Sequence, residues 1–329
     1  MRTLLKWLGI SFLGLLVLVV VLFAGTRGDY TVHSLVTENA ALPSVEINDV
    51  SLHLKVVEGP TDAPTIVVLH GGPGADFRSL LGLEPLSASH TIIFYDQRGA
   101  GLSERVPVSQ LTLDHHLTEL SAIADHFSSD RPIILIGHSW GAMLAAAYLD
   151  VHPRRVERVV LIEPGYLDLA GKDAWAAVSE NYMSGFNYWR EALLIGFRAQ
   201  HVIATDDDAA DDFLIGHMVG QFVNHPENPY HCGEGYTAPS WRFGAAASNR
   251  WANAPASEVN QIARITSFQG PVLFLAGACN TWIGPELQAE HAARFSDAQL
   301  VIIPNAGHDV IWDNADATLE AIRQFLAAR

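Results

Sequence analysis

The chain has 329 residues, 49% of them hydrophobic, which is enough to bury the core of one large domain or two small ones. Its formal net charge of −16 repels polyanions and argues against nucleic-acid binding. The two cysteines, Cys232 and Cys279, exclude a disulfide framework and permit at most one bridge. The fifteen histidines form no H-E-x-x-H pattern and no pair has a third ligand at suitable spacing, so we expect no metal site.

The first 25 residues have the pattern of a transmembrane signal-anchor. Arg2 and Lys6 precede an uncharged run of 19 residues, from Trp7 to Gly25, which is long enough to cross the hydrocarbon layer as a helix. A cleaved signal peptide is the alternative, although its apolar stretch is usually shorter and is followed by small residues. The basic residues before the run predict a cytoplasmic N-terminus. The globular part is then expected outside the cytoplasm, periplasmic or extracellular, where a disulfide is permitted.

Residues 26–42 are predicted to form a polar linker, after which short β-type runs alternate with helical patterns. Strands are predicted at residues 45–47, 52–57, 65–69, 91–95, 132–136, 156–162, 271–276 and 300–303, and helices around residues 117–127, 141–152, 286–295 and 319–326. The run at residues 65–69 is apolar throughout, as expected for a strand buried on both faces. This alternation predicts an α/β fold with a doubly wound, mostly parallel sheet.

Residues 166–260 break the alternation, because they are rich in aromatic residues, Asn and Gly and contain helical patches without clear strands. We predict that they form a helical cap inserted after the sixth strand. The core would comprise residues 43–165 and 261–329, with the cap above the carboxyl edge of the sheet, where ligands of open α/β sheets bind. The acidic run at residues 206–212 is expected to be a solvated helix start, where carboxylates suit the helix dipole, rather than a cation site.

The strongest chemical signal is the run G-H-S-W-G at residues 137–141, which lies between a predicted strand and an Ala-rich helix. In that context G-x-S-x-G is typical of a nucleophile elbow, a sharp turn that exposes the serine hydroxyl. Small flanking residues are required there because the strand and the helix approach each other closely. The pattern predicts Ser139 as a nucleophile.

Two further loops fit the same chemistry. The run H-G-G-P-G at residues 70–74 follows a predicted strand and can aim backbone N–H groups at a developing oxyanion, together with the N–H of Trp140; a plain turn is the alternative. His308 lies in a loop after the last predicted strand, from which it can reach Ser139 and act as a general base. The order serine, acid, histidine along the chain is that of α/β hydrolases.

Four motifs together resemble the proline iminopeptidase branch of the α/β hydrolases. They are H-G-G-P-G at residues 70–74, D-Q-R-G-A-G-L-S at residues 96–103, G-H-S-W-G at residues 137–141 and G-H at residues 307–308. The similarity covers residues 45–165 and 268–329 and leaves out the cap. It implies cofactor-free hydrolysis through an acyl-enzyme, with the N–H groups of Gly72 and Trp140 as oxyanion donors. Asp96 and Arg98 would brace the loop under the site.

The chain departs from that family at the triad acid. The family has an aspartate after the strand that corresponds to residues 271–276, whereas this chain has Asn280. An amide can orient the histidine but cannot offset its charge, and an Asp→Asn change in such a triad costs about 10⁴ in turnover. Glu163, at the end of the predicted strand 156–162, is our candidate acid, because haloalkane dehalogenases, also α/β hydrolases, place a carboxylate after this strand. Asn280 as a weak orienter and the lack of a working triad remain alternatives.

The cap also departs from the family, because it lacks the W-x-x-W-E pattern near which proline iminopeptidases hold the substrate's amino group. Aminopeptidase specificity therefore does not carry over, and the aromatic residues of the cap favour a small-molecule substrate with an apolar group. The leading hypothesis is hydrolysis of an ester, with an amide or N-terminal peptide bond second, by Ser139, His308 and Glu163. The rival is a binding protein that kept the pocket and lost catalysis. The sequence does not define the oligomeric state.

Overall fold

The computed structural model describes residues 2–203, 206–233, 238–264 and 268–328 and is built around an eight-stranded β-sheet. The strands are β1 (Tyr30–Thr31), β2 (Ser44–Ile47), β3 (Val50–Val57), β4 (Thr65–Leu69), β5 (Thr91–Tyr95), β6 (Ile133–His138), β7 (Val156–Ile162), β8 (Val202–Ile203), β9 (Val272–Gly277) and β10 (Ala298–Ile303). The α-helices are α1 (Arg2–Gly25), α2 (Leu113–Phe127), α3 (Trp140–Val151), α4 (Leu169–Ser179), α5 (Gly185–Ala199), α6 (Ala209–Val223), α7 (Ala245–Ala252), α8 (Ala256–Ile262), α9 (Pro285–Ala292), α10 (Val310–Asp313) and α11 (Ala315–Ala327).

The order of strands in the large sheet is β10-β9-β7-β6-β4-β5-β3-β2. The strands from β10 to β5 in this order run parallel, and β3 is antiparallel to both β5 and β2. The predicted mostly parallel α/β sheet is confirmed, and every predicted strand lies in it. The order reverses between β4 and β6, and a crevice at the carboxyl ends of such neighbours is where open sheets bind ligands.

The sheet is buried on both faces, as the apolar run of β4 predicts. Val67 and Leu69 belong to the hydrophobic cluster that contains α2 and α3, whereas Ile66 and Val68 belong to the cluster that contains α11. All four side chains are fully buried. The alternation of side chains along β4 therefore supplies both layers of the core, and it fixes the loop after β4 at the edge of the sheet.

The N-terminal helix α1 contains a segment, Leu4–Gly25, that is long and apolar enough to cross a membrane, and none of its most apolar window is buried against the protein. The segment that follows, predicted as a polar linker at residues 26–42, is instead packed on the fold. Its strand β1 pairs in parallel with β8, and Leu35 and Val36 are buried. The prediction differs because the polar composition of residues 26–42 as a whole hides the short apolar pair of Leu35 and Val36, which packs on the fold.

The insertion, defined here as residues 163–271 between β7 and β9, carries the helices α4–α8 and the short strand β8. The predicted cap ends at residue 260, but α8 already belongs to the core, because Val259 and Ile262 are fully buried in the cluster that contains α3. Cys232 of the insertion forms a disulfide with Cys279, which follows β9. The bridge that the sequence permits therefore ties the insertion to the core.

The acidic run at residues 206–212 lies at the start of α6, as predicted, but it is only partly solvated. Asp212 is buried, and its carboxylate lies 2.9 Å from Nη2 of Arg105 and 2.7 Å from Nε of Arg242. Asp206 pairs with Arg242 at 2.6 Å. The prediction of solvation is wrong for Asp212, because the two arginines that neutralise it are distant in sequence, one in the core loop after β5 and one in the insertion.

Candidate active site

Ser139 lies between β6 and α3 with φ 52° and ψ −116°. A non-glycine residue at positive φ is strained, so the surroundings must hold this conformation. The N–H of Ser139 donates to the carbonyl of Ile162 at 2.8 Å, and the Ser139 carbonyl accepts from the N–H of Met143 at 3.1 Å. The turn is therefore fixed from both its strand side and its helix side, and the serine side chain is partly exposed.

The glycines on either side of Ser139 are required by close packing. A Cβ on Gly137 would overlap the carbonyl of Gly141, and a Cβ on Gly141 would overlap the carbonyl of Leu69 at the end of β4. Neither position has room for a side chain. The G-x-S-x-G spacing thus lets α3 begin directly over the ends of β4 and β6.

The loop after β4 lies against the serine, since a Cβ on Gly71 would be 3.0 Å from the Cβ of Ser139. Gly72 has φ +34°, a backbone conformation that favours glycine. Trp140 is the first residue of α3, where N–H groups have no partner within the helix. Within the described ranges, no hydrogen bond uses the N–H of Gly72 or of Trp140. Both predicted oxyanion donors therefore flank the serine with unpaired N–H groups.

A glutamine that the sequence analysis did not single out joins these two donors. Gln97 Oε1 accepts from the indole Nε1 of Trp140 at 2.9 Å, and Gln97 Nε2 donates to the carbonyl of His70 at 3.1 Å. His70 Nε2 accepts from the N–H of Gln97, so its Nδ1 carries the proton and donates to the carbonyl of Gly71 at 3.0 Å. Burial lowers the pKa of His70, which suits this neutral form. The position of Gln97 in D-Q-R-G was the available signal.

The two residues expected to brace this loop are both buried and paired. Asp96 Oδ2 accepts from the N–H of Leu102 at 2.9 Å and from Nδ1 of His53 at 2.8 Å. Arg98 Nε donates to the buried carboxylate of Glu119 at 3.0 Å. These contacts anchor the loop after β5 directly beneath Gln97.

His308 lies beside the elbow, in the loop between β10 and α10. His138, the residue before the serine, donates from Nε2 to the carbonyl of His308 at 3.0 Å, and the two imidazole rings are 4.6 Å apart. Burial lowers the pKa of His308, and burial and the nearby His308 lower that of His138 to about 3. Both rings are therefore neutral at neutral pH, as a base that accepts a proton requires.

Glu163 reaches the histidine from the end of β7. Its Oε2 lies 2.8 Å from Nδ1 of His308, and Glu163 itself has φ 43° and is fully buried. Oε1 accepts from the N–H of Gly277 at 2.7 Å. β7 lies between β6 and β9, so its carboxyl end faces both the elbow and the loop after β9.

Asn280 occupies the usual acid position, and the hydrogen bonds of its side chain go to residues other than the histidine. Its Nδ2 donates to Glu163 Oε2 at 2.7 Å, while its Oδ1 accepts from the N–H groups of Trp282 and Ile283 at 3.0 and 3.1 Å. Two backbone donors on Oδ1 fix which end of the amide faces Glu163. Asn280 is therefore a hydrogen-bond donor to the relocated carboxylate.

Burial raises the pKa of Glu163 to about 8, and the Gly277 N–H and the Asn280 amide act in the opposite direction. Both of these groups are donors and stabilise the ionised carboxylate, but burial outweighs them, so the pKa of Glu163 stays above its usual range. Two groups this close titrate as a unit. The carboxylate can then offset the charge of an imidazolium formed during a reaction.

A tyrosine from the insertion backs the histidine. The ring of Tyr230 stacks on the imidazole of His308 at 4.7 Å and 17°, and its carbonyl accepts from the His308 N–H at 2.8 Å. Trp282 stacks in turn on Tyr230 and on Trp175, and these three rings form an aromatic column beside His308. Sequence reasoning missed Tyr230, whose only local signal is its position two residues before Cys232.

The site thus joins His308 to Glu163 and Glu163 to Asn280 by hydrogen bonds, and Ser139, Gly72 and Trp140 lie on the elbow and the loop after β4 beside them. Among the described residues, no group of three or more His, Cys, Asp and Glu side chains is arranged to hold a metal ion. The arrangement consists of a strained, partly exposed hydroxyl, a neutral imidazole paired with a buried carboxylate, and two unpaired N–H groups. These are the parts required for acyl transfer to a serine.

A sequence model of the α/β hydrolase fold family matches residues 64–315, more than half of the chain. The chain belongs to the α/β hydrolase family. This hydrolase is 36% identical over 299 residues to a proline iminopeptidase of Saccharolobus solfataricus, across 84% of its own length and 89% of that enzyme. It is 42% identical to a proline iminopeptidase of Heyndrickxia coagulans over 100 residues, but this match spans only 34% of that relative.

Solved structures agree with the fold of the hydrolase. A proline iminopeptidase-related protein from Thermus thermophilus superposes with a TM-score of 0.61 at 20% identity, covering 87% of this chain and 96% of that one. At this identity the likeness shows the fold alone. The family resemblance predicted from the motifs is confirmed by these relatives, while the roles of the site residues stay predictions.

Proposed function

We propose that this hydrolase cleaves esters through an acyl-enzyme on Ser139. His308 takes the hydroxyl proton on Nε2 as Ser139 attacks the substrate carbonyl, and the N–H groups of Gly72 and Trp140 receive the developing oxyanion. His308 then returns the proton to the leaving alcohol. Water, activated by the same histidine, hydrolyses the acyl-enzyme.

The observation that carries the proposal is the 2.8 Å contact between Glu163 Oε2 and His308 Nδ1. With Asn280 alone behind the histidine, nothing would offset the imidazolium formed in each step. Glu163 supplies that charge from the neighbouring strand. The same contact argues against the rival of an inactive binding protein, because a decayed site has no need of a replaced acid.

An ester is favoured over an N-terminal peptide bond by the charges of the insertion. Apart from Glu163, which pairs with His308, the buried carboxylate in the described part of the insertion is that of Asp212, and Arg105 and Arg242 already neutralise it. It is therefore not free to hold a substrate's ammonium group. The aromatic column of Tyr230, Trp282 and Trp175 instead favours an apolar group. The aminopeptidase alternative rests on the similarity to the Saccharolobus enzyme.

Steady-state kinetics on full-length protein test the proposal. We would compare short p-nitrophenyl esters with prolyl and alanyl p-nitroanilides, in the wild type and in Ser139→Ala and Glu163→Gln. We expect ester hydrolysis that is lost in the first variant and strongly reduced in the second. Higher kcat/KM for prolyl p-nitroanilide would replace the ester by the aminopeptidase function, and no turnover of either class by folded protein would favour the binding protein.

We also propose that α1 anchors the hydrolase in a membrane with the catalytic domain outside the cytoplasm. The exposed apolar helix and the basic residues before it support this orientation, and the disulfide between Cys232 and Cys279 suits an oxidising compartment. Protease protection of the C-terminus in intact cells and spheroplasts tests it. Digestion only after permeabilisation of the inner membrane would place the domain in the cytoplasm and overturn the proposal.

A further inference from the structure

The outer face of α5 is apolar and uncovered. Phe186, Trp189 and Leu193 are exposed at 81%, 63% and 53%, and their spacing of three and four residues places them on one stripe of the helix. Ile195 and Ala199, on the other side of α5, are buried against the rest of the insertion. Three large exposed apolar side chains on one stripe mark a surface that contacts something less polar than water.

This stripe is attached to the membrane helix. His201, two residues beyond α5, donates from Nε2 to the carbonyl of Phe23 near the end of α1 at 2.8 Å, and the two rings are 4.3 Å apart. After the end of α1, the next element is β1, which pairs with β8 of the insertion, and Tyr30 of β1 packs on Phe213 of α6. No free linker separates α1 from the insertion. The end of α1 is therefore in direct contact with the insertion.

The distances along α5 keep the stripe close to the end of the membrane helix. At about 1.5 Å per helical residue, Leu193 is about 12 Å and Phe186 about 22 Å along the chain from the His201 contact. Arg190, which is exposed between them, pairs with Glu191 at 2.6 Å, and its stem can lie on the apolar surface. Trp189 is of the residue type most enriched at membrane–water interfaces.

We propose that the stripe of Phe186, Trp189 and Leu193 rests in the surface of the lipid bilayer that holds α1. The insertion then lies on the membrane, and the same insertion covers His308 through Tyr230. The substrate class that follows is an ester carried by a molecule dissolved in the bilayer, such as one with a long acyl chain. This substrate assignment rests on the proposed ester hydrolysis, whereas the membrane contact rests only on α1 and α5.

Site-directed fluorescence tests the contact, because both cysteines of the chain are in the disulfide and an engineered one is unique. Full-length Trp189→Cys, labelled with an environment-sensitive nitrobenzoxadiazole, is reconstituted in phosphatidylcholine vesicles with and without brominated acyl chains. Val151→Cys is the matched control, since Val151 is also apolar and 54% exposed but lies at the far end of α3 from the elbow. We expect several-fold quenching by brominated lipid at position 189 and none at position 151.

Equal emission and equal lack of quenching at the two positions would overturn the contact. Shielding at position 189 that depends on protein density and not on brominated lipid would also overturn it, in favour of a second copy of the chain.

Activity separates the substrate class from the proposed function. The triple variant Phe186→Ser, Trp189→Ser, Leu193→Ser should hydrolyse a short soluble ester within about twofold of wild type, but a long-chain ester in vesicles about tenfold more slowly, because three interfacial contacts are lost. Equal activity of the variant and the wild type on the vesicle ester would overturn the substrate assignment. A wild type inactive on the soluble ester would instead refute the proposed function, and the fluorescence result would still decide the membrane contact.

Discussion

Replacing Asn280 with the aspartate that the family has at this position should impair this hydrolase. Asn280 Nδ2 donates to Glu163 Oε2 at 2.7 Å, and both side chains are buried. In Asn280→Asp, the donor becomes a second carboxylate oxygen at that distance. Oδ1 is already fixed by the N–H groups of Trp282 and Ile283, so the new carboxylate cannot easily turn away. Two buried carboxylates in contact share a proton, and the pKa of the pair rises.

The size of the effect follows from the lost bond. A hydrogen bond to a charged group is worth about 1.5–3 kcal/mol, or about one to two pKa units at about 1.36 kcal/mol per unit, and the repulsion adds to this. Burial already raises the pKa of Glu163 to about 8. Because the reaction needs the ionised carboxylate, the acidic limb of the pH profile should move upward, with kcat/KM at pH 7 falling about 10- to 100-fold and partly recovering near pH 10.

The assay is kcat/KM for a short soluble ester from pH 6 to pH 10. Asn280→Ala is the control, since it removes the donor without adding a charge and should shift the limb less. An Asn280→Asp variant that is as active as wild type at pH 7, with an unshifted profile, would refute the reasoning and return the acid role to position 280.

Three further changes test other parts of the site. Glu163→Gln should lower kcat about 10³- to 10⁴-fold. The change in melting temperature caused by this substitution should be more favourable at pH 9 than at pH 5. A carboxyl whose folded pKa is raised to about 8 stabilises the protein below its unfolded pKa and loses that contribution as the pH rises through 8. An equal change at both pH values in calorimetry would contradict the burial argument. The double variant Cys232→Ser, Cys279→Ser removes a bridge across 47 residues, which stabilises the fold by about 4 kcal/mol in the chain-entropy estimate. The midpoint of urea unfolding should therefore move to a lower urea concentration. Because Tyr230 loosens from His308, kcat should fall by a larger factor than KM changes. Asp212→Asn leaves Arg105 and Arg242 underpaired and should cost about 3–5 kcal/mol of unfolding free energy; a loss below about 1 kcal/mol would show that Asp206 suffices.

The sequence was sufficient for the sheet and the elbow because both depend on local patterns. The apolar run of β4 predicts a strand that is buried on both faces. The two glycines around Ser139, between a strand and a helix, predict a tight turn in which neither position has room for a side chain. The candidate acid Glu163 was also within reach, because the end of β7 must lie beside the elbow in a sheet of this order.

Contacts between distant segments were beyond the sequence. The sequence predicts only a substituted acid at Asn280, although its amide donates to Glu163, because the direction of a side-chain hydrogen bond has no sequence signature. The sequence predicts a fully solvated helix start at residues 206–212 because Arg105 and Arg242, which pair with two of its carboxylates, are far away in the chain. For the same reason the stacking of Tyr230 on His308 and the docking of residues 26–42 on the insertion were missed.

The central claim, that Ser139 is a nucleophile served by His308 and Glu163, is tested most directly by labelling with a fluorophosphonate followed by peptide mapping. Full-length wild type should form a single adduct on Ser139, Ser139→Ala none, and Glu163→Gln the same adduct at a strongly reduced rate. Folded wild-type protein without an adduct would contradict the nucleophile, and Glu163→Gln labelled as fast as wild type would contradict the relocated acid.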